Sequence, residues 1–168
     1  KYPYKYFKEI YDSVVKMKKE SYGKDRLKIV IFISGIQETD QMFFNDTNID
    51  CVRIDDSVIA LRSVEDDSVY KGSFTGCTKL KKVMIPPSVT SIGFRTFSGC
   101  KSLTEITIPS SVTSIGSNAF CDCSSLTQIT IPASVTIIYH NSFNNCSNLE
   151  QITIPSSVTS IESNAFRD

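Results

Sequence analysis

Six cysteines are the residues of this chain with the widest choice of chemistry. Four of them recur at one constant spacing, at Cys77, Cys100, Cys123 and Cys146. Six cysteines in a small secreted domain would suggest a disulfide framework, and a cluster of thiolates would suit zinc. A column of thiols at one period is not a tetrahedral cage, however, and free cysteine fills apolar cores well. We therefore expect four reduced, buried thiols and no disulfides, while Cys51 and Cys121 receive no role from their positions.

The other reactive residues form no catalytic or metal-binding set. His140 is the only histidine, and its Tyr-His-Asn-Ser surroundings predict a solvated surface position. Asp55-Asp56 and Glu65-Asp66-Asp67 offer carboxylates to a hard cation, but they lack the alternating spacing and central glycine of a calcium loop. None of the seven glycines is clustered as in a phosphate-binding loop. We expect no enzymatic activity, no metal site and no cofactor.

The 23-residue period of these cysteines also governs the apolar residues of the C-terminal half. Phenylalanines recur at Phe74, Phe97, Phe120, Phe143 and Phe166, and leucines at Leu80, Leu103, Leu126 and Leu149. Each unit contains Leu-x-x-Ile-x-Ile-Pro, with Val83 replacing the first isoleucine once. Its alternation predicts a half-buried strand that the proline ends. Ser-Ser-Val-Thr-Ser-Ile follows and predicts a tight turn, and units stacked about 4.8 Å apart form a parallel sheet with continuous side-chain ladders.

These motifs resemble the BspA-like class of leucine-rich repeats, whose pattern reads roughly Leu-x-x-Ile-x-Ile-Pro-x-Ser-Val-x-x-Ile-Gly-x-x-Ala-Phe-x-x-Cys. The resemblance covers residues 74–166. It implies an α/β repeat fold, a right-handed solenoid with parallel strands on its concave face. The departures are Arg95-Thr96 and Asn141-Ser142 in place of Asn-Ala, and Tyr139 and Glu162 in place of the glycine. BspA-like proteins occur in bacteria and parasitic protists, often at the cell surface, and some are similar to adhesins that bind host matrix proteins.

Residues 1–73 are predicted to cap this array. Residues 4–21 carry apolar residues at helical spacing with lysines opposite, which predicts an amphipathic helix packed on the first coil or lying on a membrane surface. Residues 27–34 are nearly all apolar and predict a buried strand. We divide the chain into three parts. Residues 1–50 form a cap with this helix, this strand and an acidic loop over 36–50, and residues 51–73 form a degenerate first repeat with strands 51–54 and 58–61. Residues 74–168 form four 23-residue repeats.

Two columns of residues should point outward from the predicted strands, and they are Lys82, Glu105, Gln128 and Gln151, then Met84, Thr107, Thr130 and Thr153. Solenoids use such regular faces to bind other macromolecules. We predict a non-enzymatic protein-binding module that acts in adhesion or partner recognition, with an extracellular-matrix or host surface protein as the candidate ligand. The alternative is a structural or intracellular interaction scaffold, because threonine columns are also good strand formers. A third hypothesis is a threonine face that templates ice or crystals.

Charge and composition limit the partners. The formal net charge is zero, which gives no global attraction to nucleic acid, and no apolar run is as long as a membrane-spanning helix requires. Residues 1–28 carry nine Lys/Arg against four Asp/Glu, and residues 29–73 carry three against nine. The basic segment 1–28 and the acidic segment 29–73 either neutralise each other within one cap, or the basic segment forms an arm that binds a partner. Membrane association stays open from the sequence. Asn45-Asp-Thr47 is a candidate glycosylation site, and Asn145-Cys-Ser147 a weaker one.

The resemblance implies a cell-surface or secreted protein, and the sequence leaves the cytoplasm open. The missing initiator methionine and the end at Asp168, shortly after Phe166, suggest a trimmed fragment. The fourth repeat would then present an open strand edge and an apolar end face, formed by Leu149, Ile152, Ile154, Val158 and Ile161. Unpaired edges of this kind favour further pairing. We expect end-to-end association, most simply a two-fold homodimer.

Overall fold

A computed structural model describes residues 29–31, 38–39, 45, 49–54, 56, 58–61, 63–64 and 71–168. Within these residues all regular elements are short strands joined by turns. They are β1 (Ile29–Ile31), β2 (Glu38–Thr39), β3 (Cys51–Arg53), β4 (Ala60–Leu61), β5 (Ser63–Val64), β6 (Lys71–Gly72), β7 (Lys82–Met84), β8 (Ser91–Ile92), β9 (Glu105–Thr107), β10 (Ser114–Ile115), β11 (Gln128–Thr130), β12 (Ile137–Ile138), β13 (Gln151–Thr153) and β14 (Ser160–Ile161).

A six-stranded sheet runs the length of the described array, in the order β1-β3-β7-β9-β11-β13. All its strands are parallel, and equivalent residues pair, such as Val83 with Ile106 and Ile129 with Ile152. The central residue of β7, β9 and β11 is buried between two exposed ones. The predicted leucine-rich-repeat solenoid with parallel strands is thereby confirmed. No helix occurs among the described residues, and the helix predicted over 4–21 lies outside them.

A second set of two-residue strands lies where the sequence predicted only a turn. Strands β10, β8, β4 and β2 form one parallel sheet, and β12 pairs with β14 in another. The serines that precede these strands do not face solvent freely. The Oγ of Ser88 donates to the carbonyl of Val58 at 2.7 Å, and that of Ser111 donates to the carbonyl of Val89 at 2.7 Å. Small hydroxyl residues occur here because they satisfy carbonyls of the preceding coil.

The core consists of ladders of identical side chains. Consecutive rings from Phe74 to Phe166 stack with centroids 5.2 to 5.4 Å apart and planes within 14° of parallel. The four periodic cysteines are buried, as predicted, beside the buried leucines Leu80, Leu103 and Leu126. The thiols of Cys100, Cys123 and Cys146 each donate to a phenylalanine carbonyl of the preceding coil at 3.2 Å. The acceptors are the carbonyls of Phe74, Phe97 and Phe120, respectively. Cysteine at this position therefore fills space and satisfies one buried acceptor.

Two columns of residues adopt the left-handed backbone conformation. One column contains Asn45, Gly76, Gly99, Asp122 and Asn145, and the other contains Arg95, Asn118, Asn141 and Asn164. Residues of the first column bond to the next coil, as when the N–H of Gly99 donates to the carbonyl of Cys121 at 2.8 Å. Glycine, asparagine and aspartate tolerate a positive φ, and arginine does not. Arg95, with φ of 52°, is thus the unfavourable member of its column.

The N-terminal coils continue both sheets, which corrects two details of the sequence interpretation. The solenoid does not begin near residue 50, because β1 pairs in register with β3, Ile29 lying opposite Cys51. The range 36–50 is not a continuous loop either, since it contains β2, which pairs with β4. The next step, from Cys51 to its partner Lys82, is longer along the chain, and the antiparallel pair of β5 with β6 lies within this longer coil. Two different offsets hid these coils from a search for a 23-residue period.

Candidate functional site

The structure places all eight predicted binding residues on one side of the six-stranded sheet. The first column comprises Lys82, Glu105, Gln128 and Gln151, the second comprises Met84, Thr107, Thr130 and Thr153, and every one of them is exposed. Because equivalent residues pair across parallel strands, each column is a continuous row with about 4.8 Å between neighbours. We call the surface formed by these two columns the concave face. The exposure of these eight side chains is as the sequence predicted, and the role of this face in binding stays a prediction.

Charge is concentrated at one end of the concave face. The Nζ of Lys82 lies 3.5 Å from a carboxylate oxygen of Glu105, and both side chains are more than half exposed. An ion pair this open to water contributes little to stability, on the order of 0 to 1 kcal/mol. Its charges therefore stay available to a ligand. The equivalent residues in the next two coils, Gln128 and Gln151, are uncharged.

A shallow groove of about 270 Å³ lies between β7 and β9. Its lining comprises Lys82, Val83, Met84, Ile85, Glu105, Ile106 and Thr107. Met84 is 40% exposed, so part of its apolar side chain is accessible to a partner. Methionine has three rotatable bonds and a polarisable sulfur, so it adapts its shape to an apolar group of a partner. The groove thus joins an apolar wall to a charged rim.

Two further residues extend the columns, and the sequence interpretation did not include them. Cys51 pairs with Lys82 and Arg53 pairs with Met84, so that β3 adds one more step to the concave face. Burial raises the pKa of the Cys51 thiol, and the nearby Lys82 ammonium opposes this rise. The missed signal is the similarity of Cys51-Val-Arg-Ile54 to Lys82-Val-Met-Ile85 at both aliphatic positions, because the two segments are further apart in the chain than one 23-residue period.

The remaining chemically versatile residues are dispersed. His140 is exposed, as predicted, and its Nδ1 lies 3.1 Å from the Ser117 hydroxyl and 3.6 Å from Glu162. Glu162 also accepts a bond from the His140 backbone N–H, which gives a reason for glutamate in place of the glycine. The Cys121 thiol lies 3.4 Å from the Asp122 carboxylate, and burial raises the pKa of Cys121 to about 11. Such a thiol is a weak nucleophile at neutral pH.

Among the described residues no three His, Cys, Asp or Glu side chains are grouped to hold a metal ion. Asp56 is exposed, while residues 55 and 65–67 lie outside the described residues. The same part of the chain contains no helix of the length and apolarity that crossing a membrane requires.

The candidate glycosylation sites occupy one of the left-handed columns. Asn45 is exposed, and its side-chain oxygen lies so close over Gly76 that a Cβ there would overlap it. The amide of Asn145 donates to Asp122 at 2.8 Å, and the middle residue of that sequon is the buried Cys146. The polar side chains of both asparagines thus already contact a neighbouring coil.

Several solved structures share this fold. A leucine-rich repeat protein from Bacteroides ovatus is 30% identical, with a TM-score of 0.73, over 83% of this chain and 34% of that chain. A leucine-rich cell surface protein from Faecalibacterium prausnitzii is 28% identical, with a TM-score of 0.67, over 74% and 31%. A leucine-rich repeat protein from Eubacterium ventriosum is 26% identical, with a TM-score of 0.68, over 81% and 35%. The chain therefore spans about a third of the length of these relatives.

No curated protein matches the chain. The family model of the BspA-type leucine-rich repeat region, in contrast, matches six copies over residues 7–64 and 67–168. This range includes the N-terminal coils that the 23-residue period alone did not show. Proteins of this class typically act in protein interaction or at surfaces. With nearly its whole length matched, and with the parallel coils and residue ladders described above, the chain belongs to the BspA-type leucine-rich repeat family.

Proposed function

We propose that this chain is a non-enzymatic protein-binding module that uses the concave face for adhesion or partner recognition. The observation that carries the proposal is the pair of exposed columns, which repeat over four coils on one continuous sheet. Neither column contributes to the core, because the inward-facing residue of each strand lies between them, and it is buried in β7, β9 and β11 and half-buried in β13. These side chains are free to be selected for a ligand rather than for folding.

The groove beside Met84 supports a protein as the ligand. Protein interfaces combine an apolar centre with a polar rim, and methionine is enriched in them. Met84 provides the apolar centre, and Lys82 and Glu105 provide part of the rim. The candidate ligand is an extracellular-matrix or host surface protein. The family and the cell-surface relative support a surface or secreted location for the module.

A matched pair of variants tests the concave face. In one variant Lys82, Glu105, Gln128 and Gln151 are replaced together by alanine, which removes one positive and one negative charge and leaves the net charge unchanged. In the control, four exposed threonines at the same spacing beside the second set of strands are replaced by alanine, and they are Thr90, Thr113, Thr136 and Thr159.

Binding to a panel of purified matrix proteins is then measured by biolayer interferometry, with circular dichroism as the check of folding. We expect the concave variant to lose at least about tenfold in affinity, since interface energy is concentrated in a few central residues. The control should change by less than about twofold. Equal affinities of the two variants for a bound matrix protein would refute the assignment of the concave face.

The proposal also assigns a modification. A secreted module would present the exposed Asn45 to the glycosylation machinery. Expression through a secretory pathway should give a product whose mass falls on treatment with an N-glycosidase. An Asn45→Gln variant should show no such fall, and an unchanged mass shift in that variant would transfer the site to another asparagine.

A further inference from the structure

The four lysines whose side chains the structure describes all lie between residues 79 and 101. Lys79, Lys81, Lys82 and Lys101 are exposed. Lys82 belongs to the concave face, and the other three lie in the turns and the connection that lead into its strands. We call Lys79, Lys81 and Lys101 the lysine cluster. Lys101 is the equivalent of Thr78 in the next coil, and Thr78 directly precedes Lys79 in the chain. The Cα atoms of Lys79 and Lys101 are therefore about 6 Å apart.

Charge along the chain isolates this cluster. Residues 74–101 contain five Lys/Arg and no Asp/Glu, a formal charge of +5. Residues 102–168 contain one Arg against five Asp/Glu, a formal charge of −4, and residues 29–73 carry three Lys/Arg against nine Asp/Glu. Among the described carboxylates, Asp50 and Glu105 flank the cluster in the adjoining coils. Glu105 is paired with Lys82, which lies outside the cluster.

The local character of the positive charge decides the class of ligand. A long polyanion laid along the solenoid axis would leave the +5 segment and enter acidic segments on both sides, where like charges repel it. A short acidic ligand that follows one coil meets Lys79, Lys81 and Lys82 in succession and stays within the segment whose formal charge is +5. The path from Lys79 to Met84 is about 17 Å if extended, which is the length of about five residues. At its far end lies the apolar groove beside Met84.

We propose that the lysine cluster and the Met84 groove together bind an extended acidic segment of a partner protein, with carboxylates over the lysines and one aliphatic side chain in the groove. The inference rests on the proposed function and specifies its ligand. An aliphatic anchor distinguishes a peptide from a sulfated polysaccharide, which offers none. Single-stranded nucleic acid is disfavoured because the columns of the concave face contain no aromatic side chain on which bases would stack.

The test uses a fluorescein-labelled probe, Glu-Glu-Glu-Gly-Leu, and a second probe in which glycine replaces leucine. Binding is followed by fluorescence anisotropy. We expect affinity to fall at least about tenfold between about 0.1 M and about 1 M salt, as the Debye length shortens from about 10 Å to about 3 Å. The variant K79Q/K81Q/K101Q should lose at least about tenfold in affinity, and the loss should vanish in high salt. A triple variant that binds within about twofold of the parent would overturn the proposal.

The repeats allow the charge to be moved to another coil. Ser125, Thr127 and Ser147 stand two repeats after Lys79, Lys81 and Lys101, and none of them is buried. Adding S125K/T127K/S147K to the triple glutamine variant should restore salt-dependent binding of the acidic probes. It should not restore the preference for leucine over glycine, because Thr130 replaces Met84 there. Failure to restore any binding would show that the lysines act through the local fold rather than as a charged surface.

A Met84→Thr variant copies the residue of the next three coils and tests the anchor. It should lose the preference for leucine and keep the salt dependence. Heparin oligosaccharide tests the competing ligand. If it displaces the probes and requires the same lysines, and if the two probes bind with equal affinity despite the leucine, the ligand is a sulfated polysaccharide and the peptide assignment is wrong. If a matrix protein depends on the concave face but not on the lysine cluster, this inference fails alone. If the probes bind and no matrix protein does, the adhesive function fails instead.

Discussion

The stacked phenylalanines allow a direct test of how much each coil contributes to stability. Phe120 is fully buried and has a ring on each side, at 5.3 and 5.4 Å. Phe166 is 37% exposed and stacks on Phe143 at 5.4 Å. Replacement of a buried phenylalanine by alanine costs about 3 to 5 kcal/mol, and a stacked pair accounts for about 0.5 to 1.5 kcal/mol of such a loss. Phe120→Ala should therefore cost about 4 kcal/mol, and Phe166→Ala about 2 kcal/mol.

Urea unfolding followed by far-ultraviolet circular dichroism measures both losses, since the chain contains no tryptophan. With a denaturant dependence of about 2 kcal/mol per M, the midpoint should fall by about 2 M for Phe120→Ala and by about 1 M for Phe166→Ala. The central variant should also broaden the transition, because a repeat array couples only through neighbouring coils. Equal midpoints would refute the view that the aromatic ladder, rather than each coil separately, stabilises the fold.

Four further outcomes follow from the same contacts. Leu103→Asp places a charge in a fully buried position and should abolish the native circular dichroism spectrum, whereas a native-like spectrum would contradict the stacked topology. Arg95→Asn should raise the free energy of unfolding by about 1 kcal/mol, because asparagine tolerates the positive φ better. The change also removes a buried Nε that has no hydrogen-bond partner among the described residues. A loss of stability would mean that the contact of Arg95 with the Phe94 ring dominates. Burial raises the pKa of Cys146 from 9.0 to about 12, so its contribution to the free energy of unfolding is full below pH about 9 and declines above that pH. In urea unfolding at a series of pH values, Cys146→Ala should flatten this decline. The four ladder thiols should react slowly with a thiol-labelling reagent under native conditions. Ile154, Ile161 and Phe166 are 40%, 51% and 37% exposed, so we expect end-to-end association that rises with concentration in light scattering. Ile161→Lys should reduce this association. A strict monomer at high concentration would refute the expected end-to-end contact.

The period made most of the array predictable. A residue that recurs at every 23rd position has the same neighbours above and below, so its burial follows from its type, as it does for Leu103 and Cys123. The alternation in Glu105-Ile106-Thr107 likewise fixed which side chains face outward. The strands Ser91–Ile92 and Ser114–Ile115 were not predicted, because so short a segment cannot show alternation and its serine is typical of turns.

The N-terminal coils were harder for a physical reason. Their registers are set by hydrogen bonds between strands, and a coil can lengthen by a hairpin without changing the pairing on either side. Val30 pairs with Val52, and Val52 pairs in turn with Val83, so the second step covers more of the chain than the first. Sequence spacing therefore varies while spatial spacing does not. A search for one period misses the coil of β3, which a search for the motif Ile-x-Ile or Val-x-Ile would find at Val52-Arg-Ile54.

The lysine cluster follows the opposite rule, because it consists of residues that break the period. The column that contains Lys81 continues as Thr104, Thr127 and Glu150, and the column of Lys79 continues as Ser102, Ser125 and Asn148. Since the backbone of each coil is the same, these changes are not required by packing, and all but the serines are exposed. The phenylalanine ladder, in contrast, repeats one residue type with a ring spacing of 5.2 to 5.4 Å, because a buried column is closely packed. In a solenoid of this kind the periodic residues specify the fold, and we propose that the aperiodic residues beside them specify the ligand.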